Sequence, residues 1–295
     1  MIHSRRIGDA LVHNIVEYIG PTHAPEFIFP NLQPRQLEEH VHWLAPHQYV
    51  PSMRRFVIAM QLWVVHVDGC VVVIDTGVGN HRPRPRLPRM HMLNTLTPLW
   101  LEAAGATADT VTHVLTTHFH GDHLGWNTHL VDGRWVPMFL KARYLMPRAD
   151  FELARAEYDG GNRAALSGAY EEAVLPVFQA GLVDFLEAEQ QVACGCFGVE
   201  RMPGHTPGSL HYRLRSGGQE GVFCGDVMHS PLQVHLPEVD TWIDHTPQQA
   251  RASRRLFLER AADSGSLVMP THFGFPHCGY VRRDGSGFRW EPERR

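Results

Sequence analysis

The stretch Thr117-His118-Phe119-His120-Gly121-Asp122-His123-Leu124 constrains this chain more than any other. It places three imidazoles and a carboxylate within six residues, directly after the apolar run Val111-Thr112-His113-Val114-Leu115-Thr116. In extended backbone His118 and His120 point to one side, because side chains alternate with a period of two. If the chain then turns into a helix, Asp122 and His123 fall in its first turn and can face the same point. Neutral imidazole and carboxylate are the usual protein ligands of zinc and similar divalent ions. The stretch therefore reads as a strand-to-helix turn that presents two adjacent pairs of metal ligands.

Around this motif, the composition is that of a soluble globular protein. Of 295 residues, 43% are hydrophobic and 20% charged. A formal charge of −4 and a pI near 6.6 argue against a general nucleic-acid binder, which carries a basic face. Histidine is the outlier at 21 residues. The five cysteines (Cys70, Cys194, Cys196, Cys224, Cys278) include no C-x-x-C pair. Scattered in apolar runs, they fit buried free thiols in a reducing compartment, with Cys194-x-Cys196 as a weaker redox-pair alternative. The N-terminus has no apolar core of signal-peptide length, and no stretch approaches the roughly 20 apolar residues of a transmembrane span. A cytoplasmic protein with no membrane partner is the expectation.

Strands dominate the pattern. Residues 7–18 read as a hairpin turning at Gly8-Asp9, and residues 21–35, with four prolines, as an irregular loop. A short helix fits Gln36 to Leu44. A second hairpin runs from Phe56 through the turn dipeptide Asp68-Gly69 to Ile74. The proline–arginine alternation over 81–89 reads as a solvated extended loop, the alternative being a loop that leans over the site or onto a second subunit. Helices are expected over 93–104, 148–158, 168–180 and 247–262. Strands are expected at 111–116, 134–147, 182–186, 191–202, 208–214, 221–225 and 267–269, with a last hairpin near 280–290. No linker or repeat divides the chain, so it reads as one compact domain.

Three later residues extend the ligand set. His205 lies in Pro203-Gly204-His205-Thr206-Pro207-Gly208, Asp226 in Cys224-Gly225-Asp226, and His272 in Met269-Pro270-Thr271-His272. Each follows an apolar strand, as His118 does. Strand ends converge on one edge of an α/β sandwich, where loops gather side chains from distant parts of the chain.

With these residues in place the chain resembles the metallo-β-lactamase superfamily over nearly its whole length. The resemblance rests on His-x-His-x-Asp-His at 118–123, Gly-His-Thr-Pro-Gly at 204–208, Gly-Asp at 225–226, His272 and the upstream Asp75-Thr76-Gly77. It implies an αββα sandwich of two mixed sheets, with a dimetal site at the rim between them. It also implies that His118, His120 and His205 hold one metal, that Asp122, His123 and His272 hold the other, and that Asp226 bridges them. Asp75 matches the aspartate that orients the histidine motif, so it should be hydrogen-bonded.

The implied chemistry is hydrolysis. Five neutral histidines, two aspartates and a bridging hydroxide around two divalent ions leave a net charge of about +1, which favours hydroxide near neutral pH and polarises a substrate oxygen. Asp122 is a candidate proton relay. A redox branch of the superfamily uses dinuclear iron with a glutamate at the position of His120; histidine there argues against that branch. The chain also lacks the extra domain and basic surface of the family's nucleases, and a basic C-terminal segment suited to glutathione. A non-catalytic binding module would be expected to have lost ligands, and all seven are present.

Among the hydrolases, the chain is similar to the group holding quorum-quenching lactonases, pyridoxolactonase and methyl parathion hydrolase. Acyl-homoserine lactonases carry a tyrosine three residues after the bridging aspartate, whereas this chain has His229, as in the methyl parathion hydrolase branch. The expectation is a zinc hydrolase (manganese, cobalt or iron being alternatives) of a lactone or carboxylic ester of a small, fairly apolar molecule. Organophosphate triester hydrolysis is the alternative. His229 is either an oxyanion donor or substrate contact, or a structural histidine bonded to nearby backbone. Phe119, Trp126, Phe273 and Phe275 are either pocket rim or core. The proline-rich N-terminal and 81–89 loops are the candidates for a homodimer contact.

Overall fold

The structure is a computed structural model and describes residues 1–187 and 190–294. The first half of the chain builds a mixed sheet from β1 (Ile2–Ile7), β2 (Ala10–His23), β3 (Tyr49–Val50), β4 (Arg55–Val67), β5 (Cys70–Ile74) and β6 (His113–Leu115). A separate hairpin of β7 (Thr128–Val131) and β8 (Arg134–Pro137) follows, and β9 (Arg143–Pro147) and β10 (Val183–Leu186) complete the sheet. Its order is β1-β2-β4-β5-β6-β9-β10, with β3 on β4. The second sheet runs in chain order: β11 (Gln191–Val192), β12 (Phe197–Arg201), β13 (Leu210–Ser216), β14 (Gln219–Phe223), β15 (Leu267–Met269), β16 (Gly279–Asp284) and β17 (Gly287–Pro292).

Strand alternation makes the layers. Val72 and Ile74 of β5 pack with Phe197, Tyr212, Leu214 and Phe223 of the second sheet, forming the core between the sheets. Val73, between them in sequence, faces the other way, into a core shared with helix Arg148–Asp159 through Phe151 and Ala154. On the far side, Val222 and Val268 pack against Phe257, Leu258 and Ala261 of helix Pro247–Ser264. The result is the αββα sandwich expected from the resemblance. At Asp68-Gly69 both residues take positive φ (46° and 75°), which a two-residue hairpin loop of this twist requires.

Several local expectations change. The strand after Gly8-Asp9 runs on to His23 despite Pro21, and a short helix, Pro25–Ile28, occupies part of the expected loop. The helix expected over 93–104 forms only as Thr97–Ala103, because Pro98 is accommodated in a first turn and not inside a helix. No helix follows the histidine motif. Its turn closes with the His123 amide donating to the His120 carbonyl (3.1 Å), then passes into one 3-10 turn, Gly125–Asn127. Cys70 and Cys194 are bonded to each other, contrary to the free-thiol expectation, while Cys196, Cys224 and Cys278 are free and buried. Among the described residues no helix is long and apolar enough to cross a membrane.

Strand direction fixes where the site falls. β5 and β6 are parallel, and so are β14 and β15. The residues that follow them, Asp75, His118, Asp226 and His272, therefore emerge at the same rim of the sandwich.

Candidate metal centre

The rim gathers every residue the sequence singled out as a ligand. His118, His120, His205 and Asp226 form one cluster and Asp122, His123 and His272 a second, with the facing atoms of each cluster within 4.8 Å of one another. His120 Nδ1 lies 3.1 Å from His118 Nε2 and 3.0 Å from His205 Nε2. Asp226 stands between the clusters. Its Oδ2 is 3.3 Å from His205 Nε2 and 3.0 Å from His272 Nε2, and its Oδ1 is 3.4 Å from His123 Nε2.

The outward nitrogens explain why the inward ones converge. His123 Nδ1 donates to Asp75 Oδ2 (2.8 Å), His205 Nδ1 to Asp244 Oδ1 (2.9 Å) and His272 Nδ1 to the Ala59 carbonyl (2.8 Å). His118 Nδ1 faces Thr117 Oγ1 at 3.0 Å, and that hydroxyl donates onward to Asp75 Oδ2 at 2.9 Å. Each contact selects the tautomer whose Nε2 lone pair faces the centre, the usual arrangement behind metal-binding histidines. Asp75 also accepts from the Thr117 amide (2.8 Å). It holds a left-handed φ of 51°, a strained backbone for a residue with a Cβ that the surrounding bonds keep in place.

Two supporting carboxylates were not read from the sequence. Asp244, in the loop before helix Pro247–Ser264, orients His205 and lies 3.5 Å from Arg254. Asp150 accepts from the Phe119 amide (2.9 Å), Thr206 Oγ1 (2.7 Å) and the Gly208 amide (2.6 Å). It thereby ties the 118–123 loop to the 204–208 loop. A Cβ on Gly208 would fall 2.6 Å from Asp150 Oδ1, so glycine is required there for the chain to pass. The only sequence signal for either carboxylate was an aspartate near a helix start, which is too common to single out.

The donor set calls for positive charge. Burial alone would lower the His123 pKa, but Asp226, Asp75 and Asp122 raise it well above the ordinary value. Burial likewise opposes protonation of His205, yet Asp226 and Asp244 hold its pKa up at about 9. Burial keeps His118 and His120 neutral, with His120 pushed down to about 3. Burial works against charge on Asp226 too, and the histidines, His272 first, still hold it ionised far below the usual carboxylate range. Asp226 Oδ1 and His123 Nε2 are buried with no hydrogen-bond partner. Clustered carboxylates with neutral imidazoles and orphaned inward atoms fit divalent cations.

A cavity of about 580 Å³ opens onto this cluster, with His120, Asp122, His229 and His272 in its wall. His229 is buried, its ring parallel to His272 at 5.1 Å and its Nε2 3.2 Å from Asp226 Oδ2. No backbone group bonds either ring nitrogen, so it is not the backbone-bonded histidine of the structural alternative; with Asp226 and His272 it makes a third group whose facing atoms could hold an ion. The four flagged aromatics do not line this cavity. Phe119, Trp126 and Phe273 are core residues, the indole N–H of Trp126 donating to Glu17 (2.7 Å), and Phe275 packs beside His47. In their place Phe27, Ile28, Met60, Leu87, Met90 and Trp242 make the wall apolar. Leu87 and Met90 come from the 81–89 segment and its edge. That segment is exposed over most of its length but buries Arg82 and Arg84 and leans over the site, the alternative expected for it.

Comparison with known proteins agrees with this geometry. The family model for the metallo-beta-lactamase superfamily matches residues 61–272, more than half of the chain. The chain belongs to that superfamily, and its class is that of a metal-dependent hydrolase. Among solved structures it is similar to hydrolase AbOPH of the beta lactamase superfamily, at 22% identity and TM-score 0.81 over 100% of this chain and 98% of that one. It is also similar to AidC, a dizinc quorum-quenching lactonase, at 19% identity and TM-score 0.78 with the same coverage. A probable metal-dependent hydrolase from Staphylococcus aureus matches at 15% identity and TM-score 0.74, over 99% of each chain. At these identities the likeness shows the fold. No curated protein matches the chain in sequence.

Proposed function

We propose that the chain acts as one metallo-β-lactamase-fold domain that binds two divalent ions, zinc foremost, and hydrolyses a lactone or carboxylic ester. The substrate is a small molecule with a substantial apolar part. The observation that carries this reading is the convergence of seven candidate ligand side chains beside a largely apolar cavity, into whose wall His120, Asp122 and His272 project. The similarity to AidC, whose structure holds the product N-hexanoyl-L-homoserine, supports the lactone and dizinc parts.

His118, His120 and His205 would hold one ion and Asp122, His123 and His272 the other, with Asp226 shared. Ions bound there supply Lewis acidity at the substrate oxygen and bring the pKa of water towards ~7. Asp122 faces the cavity and is placed to pass a proton to the leaving group. His229, in the cavity wall with its Nε2 3.2 Å from Asp226 Oδ2, donates to the substrate oxygen as negative charge develops on it. Asp75, Asp244 and Asp150 keep the imidazoles and the two loops from shifting as charge moves.

Phosphotriester hydrolysis is the second reading, favoured by histidine at 229. An iron-dependent oxidoreductase is a poorer fit, because His120 converges with His118 and His205. A panel of lactones, aryl esters and phosphotriesters, run with zinc-, manganese- and cobalt-loaded protein, separates the hydrolytic readings. Turnover of none of them would overturn the proposal. For His229→Ala at unchanged metal content, a drop in kcat of at least tenfold on the best substrate is expected. Unchanged turnover would remove His229 from the mechanism.

A further inference from the structure

We propose that the cavity selects an ester or lactone that also carries a carboxylate, gripped by Arg86 and Arg89, with the buried Arg84 adding positive charge to the wall. The proposal depends on the hydrolase reading for the scissile bond and on the charge distribution of the wall for the anion.

Three arginines line the cavity, and its one carboxylate, Asp122, belongs to the ligand set. Arg84 is fully buried. Its Nη1 donates to the Pro83 carbonyl (2.9 Å) and its Nη2 to Glu172 Oε2 (2.7 Å), while its Nε is buried with no partner. The same Glu172 oxygen lies 3.3 Å from Arg82 Nη1. The two guanidiniums share this carboxylate, and the buried Glu17 acts on Arg82 as well, so Arg84 has Glu172 as its one ion-pair partner among the described residues. Arg84 sits next to the reaction centre, since a Cβ on Gly121, between His120 and Asp122, would come within 3.9 Å of Arg84 Nε.

Nearer solvent, Arg89 Nη2 donates to the Thr22 carbonyl (2.7 Å), which fixes the side chain without neutralising it. Arg86 is exposed and makes no ion pair or side-chain hydrogen bond with the described residues. The wall also carries the apolar Ile58, Met60, Leu87 and Met90, with His23 in reach of Arg89, His229 and His272. A short hydrocarbon spacer between the scissile carbonyl and a terminal carboxylate satisfies both kinds of wall. Arginine is suited to that terminus because its fork meets a carboxylate with two parallel hydrogen bonds.

The test compares p-nitrophenyl butyrate with the p-nitrophenyl monoester of glutaric acid, on zinc-loaded wild type, Arg86→Lys and the Arg86→Gln/Arg89→Gln double variant. Metal attraction for the anion is common to all three proteins, so the variants isolate the arginines. Wild type should favour the anionic ester in kcat/KM, mainly through KM. The preference should fall roughly tenfold in the double variant, the worth of one charged hydrogen bond, survive in Arg86→Lys, and shrink as salt is raised. A preference within twofold of wild type in the double variant would overturn the proposal. If neither ester is turned over, the same proteins are assayed for binding of 4-phenylbutyrate and 4-phenylbutanamide by tryptophan fluorescence. Anion preference that falls in the double variant would then support the arginine site while removing the hydrolase reading. Equal binding of acid and amide by wild type would overturn the arginine site itself.

Discussion

Arg84 Nη2 and Glu172 Oε2 meet at 2.7 Å beneath the active-site wall, with the arginine side chain fully buried. Arg82 joins the same carboxylate, lies 4.0 Å from the Trp135 ring centroid, and donates to the carbonyls of Gly125 and Thr128. The proline–arginine segment is therefore pinned as a strap, and its apolar residues become cavity wall.

Removing the shared carboxylate should release the strap. Glu172→Gln leaves Arg84 without its counter-charge and Arg82 with Glu17 alone, and breaking a buried pair in this way costs about 3–5 kcal/mol. Because Glu172 keeps some exposure, the lower end applies. Denaturant unfolding should show a loss of about 3 kcal/mol, with faster proteolysis between residues 84 and 90. Wild-type stability would mean that the strap is held by its other bonds.

Asp244 offers a test of the site's outer bonds. Burial works against its charge, but the hydrogen bond from His205 leads the interactions that hold its pKa at about 2, so it is a carboxylate at any working pH. Asp244→Asn removes the negative charge behind His205 and should weaken metal affinity roughly 10–100-fold. Zinc competition with a chromophoric chelator measures this, and unchanged affinity would show that Asp244 only shapes the loop.

A pH effect is expected from a histidine outside the candidate ligand set. His211 is buried on β13 against Phe257, and burial pushes its pKa down to about 3, with Arg213 and Arg260 adding to the effect and Glu200 opposing it. An unfolded histidine titrates near ~6.5. Between those values the unfolded chain binds the extra proton, so stability falls as pH drops below about 6.5, by up to about 1.4 kcal/mol per pH unit. His211→Gln should flatten that slope between pH 6 and 4 in denaturant titrations. An unchanged slope would assign the effect to other buried histidines.

The candidate ligands were legible because they follow strand ends in compact, unusual runs. His118 to His123, His205, Asp226 and His272 could each be read beside an apolar strand, and parallel pairing then set them on one rim. What escaped depends on long-range contacts. The Cys70–Cys194 bond joins residues 124 apart in sequence. Asp150 and Asp244 carry no local mark of the loops they hold. Arg82 and Arg84 look like surface residues until Glu172, some ninety positions later, packs against them. The turn after His123 broke from the expected helix because its carbonyl is claimed by Thr76, whose amide donates at 2.8 Å and hydroxyl at 3.1 Å.

A zinc titration probes the proposed two-ion hydrolytic centre itself. Protein stripped by a chelator is titrated with zinc while hydrolysis of an aryl ester or lactone is followed. The rate should rise from background and level off at two equivalents per chain. A rate indifferent to zinc, or no turnover at any equivalence, would contradict it.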